Sequence, residues 1–92
     1  WTLKIDSPVT IWSGVATTAE PVRANKPVGE LLWAHVLGGP YTALLANSGV
    51  SLATGAATNG TVVPLYFQTN LAWNLDTPGN YSIQVRFTLS SP

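Results

Sequence analysis

Residues 80–91, Asn80-Tyr-Ser-Ile-Gln-Val-Arg-Phe-Thr-Leu-Ser-Ser91, alternate without interruption. Tyr81, Ile83, Val85, Phe87 and Leu89 take every second position, and Ser82, Gln84, Arg86, Thr88 and Ser90 fill the gaps. Successive side chains of a β-strand point to opposite faces, so this pattern buries one side and wets the other. Pro78-Gly79 stands immediately before it and supplies a turn. The period predicts one long half-buried strand over 80–90.

The rest of the chain repeats the theme in shorter pieces. Trp1-Thr-Leu-Lys-Ile5 puts Trp1, Leu3 and Ile5 on one face before Asp6-Ser-Pro8 ends the run. Val9-Thr-Ile-Trp12 resumes in extended form and Ser13-Gly14 stops it. Residues 15–29 hold Pro21, Pro27, Gly29, Glu20, Arg23 and Lys26 with weak period, which predicts a long connection with room for a short edge strand. Loops of that length are functional or mobile. Glu30–Val36 and Tyr41–Leu45 flank Gly38-Gly39-Pro40, a hairpin pattern. Val50–Thr54 is a short strand, and Asn59-Gly60 closes a small-residue loop. Thr61–Trp73 is a second long strand, in which Pro64 marks an edge, a bulge or the meeting of two strands.

Seven strand-like segments in 92 residues, separated by Gly, Pro and Asn turns, predict a single all-β domain over 1–92. The expected architecture is an antiparallel Ig-like β-sandwich of about seven strands, incomplete if an edge lacks its partner, with a small closed barrel as the runner-up. The short Pro78-Gly79 turn predicts that the closing strand pairs beside the strand ending near Trp73, because a short loop closes at little entropic cost.

Composition narrows the function classes. Charged residues make up 9% of the chain, against a usual share of about 25%. Thr, Ser, Asn and Gly replace them, a neutral hydroxyl-rich surface that suits exported β-proteins. Net charge is zero and Lys4, Arg23, Lys26 and Arg86 are dispersed, so no basic patch awaits a nucleic acid. No apolar run approaches the ~20 residues of a membrane span. There is no cysteine, which excludes disulfides and thiolate metal sites.

No set of residues assembles into catalytic machinery. His35 is the sole imidazole and lacks metal-binding partners; Glu30 falls on the other face of its strand. The four carboxylates Asp6, Glu20, Glu30 and Asp76 show no spacing that favours the paired acids of glycoside hydrolysis. Phosphate loops, nucleophile elbows and calcium loops are absent from the sequence. The expectation is a non-enzyme without cofactor or metal. Trp1 and Trp73 follow the apolar phase of their strands and belong to a core. Trp12 and Trp33 do not fit so simply and are the candidates for stacking on a ligand such as a sugar. Asn59-Gly-Thr61 and Asn80-Tyr-Ser82 match the glycosylation acceptor pattern.

The ending Asp76-Thr-Pro-Gly-Asn-Tyr-Ser-Ile-Gln-Val-Arg-Phe-Thr-Leu89 resembles bacterial fimbrial-type and spore-coat-U-like sandwich subunits, in which a Pro/Ala-Gly-x-Tyr turn opens a closing strand of alternating hydrophobics and Thr. Trp1-Thr-Leu-Lys-Ile5 resembles the Trp-x-Leu-x-Val/Ile strand near the start of such domains. The likeness covers both ends, about a third of the chain. The chain departs from the pattern in lacking Cys, where those subunits often carry a disulfide, and in starting at the Trp, where one or two strands usually come first. The resemblance implies an exported structural subunit or module, extracellular or on the cell surface.

Two functional expectations follow. The first is a structural subunit of a filament, pilus or coat, partnered by copies of itself or a related subunit through β-strand addition. No tight turn tethers residues 1–5, so Trp1, Leu3 and Ile5 are the expected anchors in a neighbour's groove. The second is a carbohydrate-binding or adhesive module that stacks glycans on Trp12 or Trp33.

Overall fold

The computed structural model describes residues 1–56, 60–72 and 75–91. Its strands in chain order are β1 (Thr2–Asp6), β2 (Ser13–Ala16), β3 (Leu31–Ala34), β4 (Thr42–Ala43), β5 (Val50–Thr54), β6 (Tyr66–Thr69), β7 (Gly79–Ser82) and β8 (Arg86–Ser90). One 3-10 turn, Val28–Glu30, precedes β3. The fold is therefore all-β, and every strand pair is antiparallel. The strands form three small sheets, ordered β5-β1-β8, β2-β7 and β4-β3-β6.

The first sheet shows how the sequence period sets register. Leu3 lies opposite Leu89 and Ala53, and Ile5 opposite Phe87 and Val50. Residues directly opposite share a face, so these six side chains make one apolar surface. Thr2, Lys4, Thr88 and Ser90 fall on the other. The pairing with β5 shifts register between Leu3 and Lys4, a bulge-type irregularity beside the buried Leu52.

Two pairing expectations are corrected. The closing segment is not one strand beside the Thr61–Trp73 stretch. It divides, β7 pairing with β2 and β8 with β1. Ser7 sits at the crossing, fully buried, and its Oγ donates to the Gln84 carbonyl at 2.7 Å. Its backbone N–H donates to the Leu45 carbonyl, and its carbonyl accepts from Asn47. Nor are residues 1–5 a loose arm. They form the middle strand of their sheet, bonded on both edges within the chain. Loop closure favours the nearest partner, but two apolar faces matched across a longer connection outweigh that small entropic term.

Segment 9–12 contributes only a bridge between Ile11 and Pro27, while β2 begins at Ser13, where a stop was expected. Glycine explains this. A Cβ on Gly14 would lie 3.1 Å from the Tyr81 ring, and one on Gly79 would lie 2.6 Å from the Val15 carbonyl oxygen. Both glycines lie inside the β2–β7 ladder and permit its close approach, so here they mark contact and not a turn. The β3–β4 hairpin stands as expected, with Gly38 and Gly39 at φ of 93° and 92°. Pro64 precedes β6, which starts only at Tyr66. Trp73 and Asn59 lie outside the described residues.

Ile5, Val28, Leu31, Trp33, Leu44 and Leu52 form the buried cluster, with Leu3, Trp12, Leu65, Ile83 and Val85 packed against it. The molecule is long, 52 × 26 × 19 Å. Its radius of gyration is 15.6 Å, where a compact chain of this length has about 12 Å. Such a shape leaves apolar surface outside the core.

Candidate functional site

Three charged side chains from residues 23–30 meet a fourth, Asp76, brought in from fifty residues beyond Lys26. Pro27 and the 3-10 turn after it bend the chain so that Lys26 and Glu30, one helical turn apart, lie side by side. Lys26 is only 1% exposed. Its Nζ donates to Glu30 Oε1 at 2.7 Å, to Asp76 Oδ2 at 3.0 Å and to the Asn70 carbonyl at 3.0 Å. An ammonium has three donors, and all three are used. Arg23 closes the ring, at 2.8 Å from Glu30 Oε2 and 3.5 Å from Asp76 Oδ1. The Trp12 ring lies over the Lys26 amine, 5.6 Å from Nζ to centroid, a cation–π contact.

Asp76 is held by its own turn. The N–H groups of Leu75 and Asp76 both donate to the Ala72 carbonyl, and Asp76 Oδ2 accepts the Ala72 N–H at 2.8 Å. That backbone bond is the main reason the Asp76 carboxyl lies below its ordinary range, with Lys26 and Arg23 adding to it. Burial pushes the Glu30 carboxyl upward, but Lys26 and Arg23 outweigh burial and hold it below its usual value. Burial likewise works against the charged Lys26 amine, and Glu30 and Asp76 together raise it nonetheless. A cleft of about 490 Å³ opens beside the cluster, lined by Leu71, Asp76, Pro78 and Tyr81 among others.

A second ion pair ties the first sheet. Arg86 Nε and Nη2 donate to the two oxygens of Asp6 at 2.8 and 2.7 Å. This two-pronged bond is the leading cause of the lowered Asp6 carboxyl. Among the described residues only Lys4 and Glu20, of the chain's charged side chains, stand outside these pairs.

Apolar side chains take the opposite course. Every residue of β8 is exposed, and Phe87 and Leu89 are 50% and 70% open on the apolar face of their sheet. β6 is exposed along its length as well, including Tyr66 and Phe67. Both strands are sheet edges, with one side of the backbone unpaired among the described residues.

The residues singled out from sequence are dispersed by the fold. Trp33 is 7% exposed in the core, so it offers no face to a ligand. His35 meets it edge-on, with ring centroids 5.6 Å apart. Trp12 is half-buried, one face given to Lys26, and its buried Nε1 has no hydrogen-bond partner among the described residues. Trp1 lies against Gly55, its indole N–H donating to the Ala56 carbonyl. Leu3 is half-buried and Ile5 is in the core, so the three expected anchors are engaged within their own chain. Asn80 is exposed on β7.

Sequence reasoning missed the Lys26 cluster, treating its members as scattered. The i, i+4 spacing of Lys26 and Glu30 was the one local signal; Asp76 is brought in from fifty residues away. The chain matches no family model, no curated protein and no solved structure.

Proposed function

We propose that the chain is a structural subunit or module of an extracellular filament, pilus or coat, and that copies associate by adding strands edge to edge. The observation that carries this reading is β8: an edge strand, exposed throughout, with Phe87 and Leu89 uncovered on its apolar side. Edge strands of proteins that stay apart are defended by free charges, prolines or bulges. The single charge of β8, Arg86, is folded onto Asp6.

The strand is also complementary to itself. Antiparallel pairing of two β8 strands about Thr88 sets Phe87 of one copy opposite Leu89 of the other, on the same face. Arg86 then meets Ser90, so no like charges oppose. Such a two-fold contact joins two three-stranded sheets into one. The junction lies at β8 and not at Trp1, Leu3 and Ile5, which would have to leave both neighbours in their own sheet to serve a second copy.

The Tyr81 hydroxyl donates to the Thr77 carbonyl four residues upstream at 2.5 Å, in the manner of the tyrosine corner of Greek-key sandwiches. That contact supports an Ig-like sandwich plan for the subunit. The test is size-exclusion chromatography and electron microscopy of the purified chain over a wide concentration range. The two-fold β8 contact closes at a dimer, so concentration-dependent dimers are expected, and longer oligomers or fibres where the second exposed edge, β6, joins as well. A monodisperse monomer at every concentration would sink the proposal.

A further inference from the structure

The Lys26 amine is sealed among its partners: 1% exposed, capped by Trp12, and in contact with two carboxylates. Asp76 is nearly as deeply placed, its side chain 5% exposed. An amine buried out of water and a carboxyl held against it at the edge of the cleft are placed for bond formation as well as for ion pairing. Fixed proximity of this kind is worth effective molarities of about 10⁵–10⁸ M. We propose that Lys26 and Asp76 condense into an intramolecular isopeptide bond, with Glu30 moving the proton. The inference stands independently of self-association through β8.

The step balances without any further reactant. Lys26 Nζ attacks Asp76 Cγ; a C–N bond forms and one Cγ–O bond breaks. The departing oxygen leaves as water, carrying two of the three ammonium protons, and the third remains on the amide nitrogen. Ammonium plus carboxylate thus gives amide plus water, with no net proton and no change of oxidation state. Nζ is 3.0 Å from Oδ2, and Cγ lies at most one carbonyl bond length, about 1.2 Å, beyond that contact.

The neighbours fit the roles that such a step needs. Glu30 Oε1, 2.7 Å from Nζ, takes a proton to free the attacking lone pair and passes it to the leaving oxygen, and the second proton that the nitrogen sheds after attack follows through the same carboxylate. Arg23 Nη1 faces Oδ1 and the Ala72 N–H faces Oδ2, so both oxygens of the carbon that becomes tetrahedral carry donors. The resting pair is ionised, so the reaction is slow and occurs once per chain. Its product joins the connection before β3 to the connection before β7, fifty residues apart. A chain without cysteine thereby gains the covalent closure that a disulfide gives to others.

Mass spectrometry of the intact, unfolded chain decides the matter. The expected mass is lower than the sequence requires by one water molecule, and proteolysis should yield one fragment pair joined through Lys26 and Asp76. Lys26→Arg and Asp76→Ala should carry the full sequence mass. Glu30→Gln, which keeps the side-chain shape, should fold and form the bond far more slowly. The unaltered chain is itself decisive, so a variant that misfolds leaves the test intact. A folded chain still at full sequence mass after prolonged incubation at neutral pH overturns the proposal, as does water lost at any other site; the cluster is then an ion network only.

Discussion

Around Lys26 the molecule buries charge; along β8 it exposes hydrophobics. The first region gathers Arg23, Lys26 and Glu30 from one stretch of chain and Asp76 from another, and satisfies every donor of the buried amine. The second leaves Phe87 and Leu89 in solvent on a strand whose only charge is already paired. A chain with so few charges can place them inside as fasteners only if something other than charge occupies its surface. Hydroxyl and amide side chains fill most of it, and the uncovered apolar strip is what remains. Burial without partners is costly for charge, and exposure without partners is costly for apolar surface. The fold has solved the first problem internally, and the second is the one that the proposed association through β8 would solve.

The largest effect is expected at β1, the strand that holds β8 in place. Deleting residues 1–5 removes the middle of the β5-β1-β8 sheet and takes Ile5 from the core. Circular dichroism of the truncated chain should show no cooperative unfolding transition. A folded, truncated monomer would return residues 1–5 to the role of a free arm.

Lys26→Ala comes next. It leaves two carboxylates facing each other with Arg23 alone to compensate, and removal of one partner from a buried ion pair costs about 3–5 kcal/mol. Urea denaturation measures this directly; a loss below about 1 kcal/mol would mean that the cluster is a surface network of the kind that contributes little.

A pair of truncations on a single face separates core from edge. Ile5 and Leu89 both lie on the apolar side of the first sheet, the former 1% exposed and the latter 70%. Ile5→Ala should cost about 2–5 kcal/mol. Leu89→Ala should change monomer stability by no more than about 0.5 kcal/mol. Equal costs would show that β8 is covered in the monomer.

Acid should loosen the ion pairs without touching the apolar strip. Asp6 and Glu30 titrate below their ordinary values of 3.8 and 4.5 in the folded chain, so the unfolded chain binds more protons in that range. Their contribution is complete above the ordinary values and is lost as pH falls through the folded ones. Thermal melts from pH 6 downward should hold level and then decline below about pH 4.5. Asp6→Asn should blunt that decline.

Much of this fold was legible in residue order because alternation specifies a strand with little help from context. β1, β3, β5 and the β3–β4 hairpin lie where their periods put them. What period cannot specify is partner. Tyr81 and Phe87 belong to one alternating run, yet they join different sheets because Ser7 grips Gln84 between them. Gly14 and Gly79 look like punctuation and serve as contact surface. Both faces of the Trp33 strand carry apolar residues, Leu31 on one and Leu32 on the other, so period alone leaves open which face is inside and packing decides it. The Lys26 cluster was illegible for the same reason: its members communicate through space, and only the Lys26–Glu30 step is short enough to read along the chain.

Whether β8 is an interface between copies is measurable directly. Sedimentation equilibrium of the purified chain should give an average mass that rises with concentration. The double variant Phe87→Lys, Leu89→Lys alters side chains already exposed, so it should keep the monomer's stability and stay monomeric at every concentration. Association undiminished in that variant, or a wild-type chain that never associates, would contradict the account.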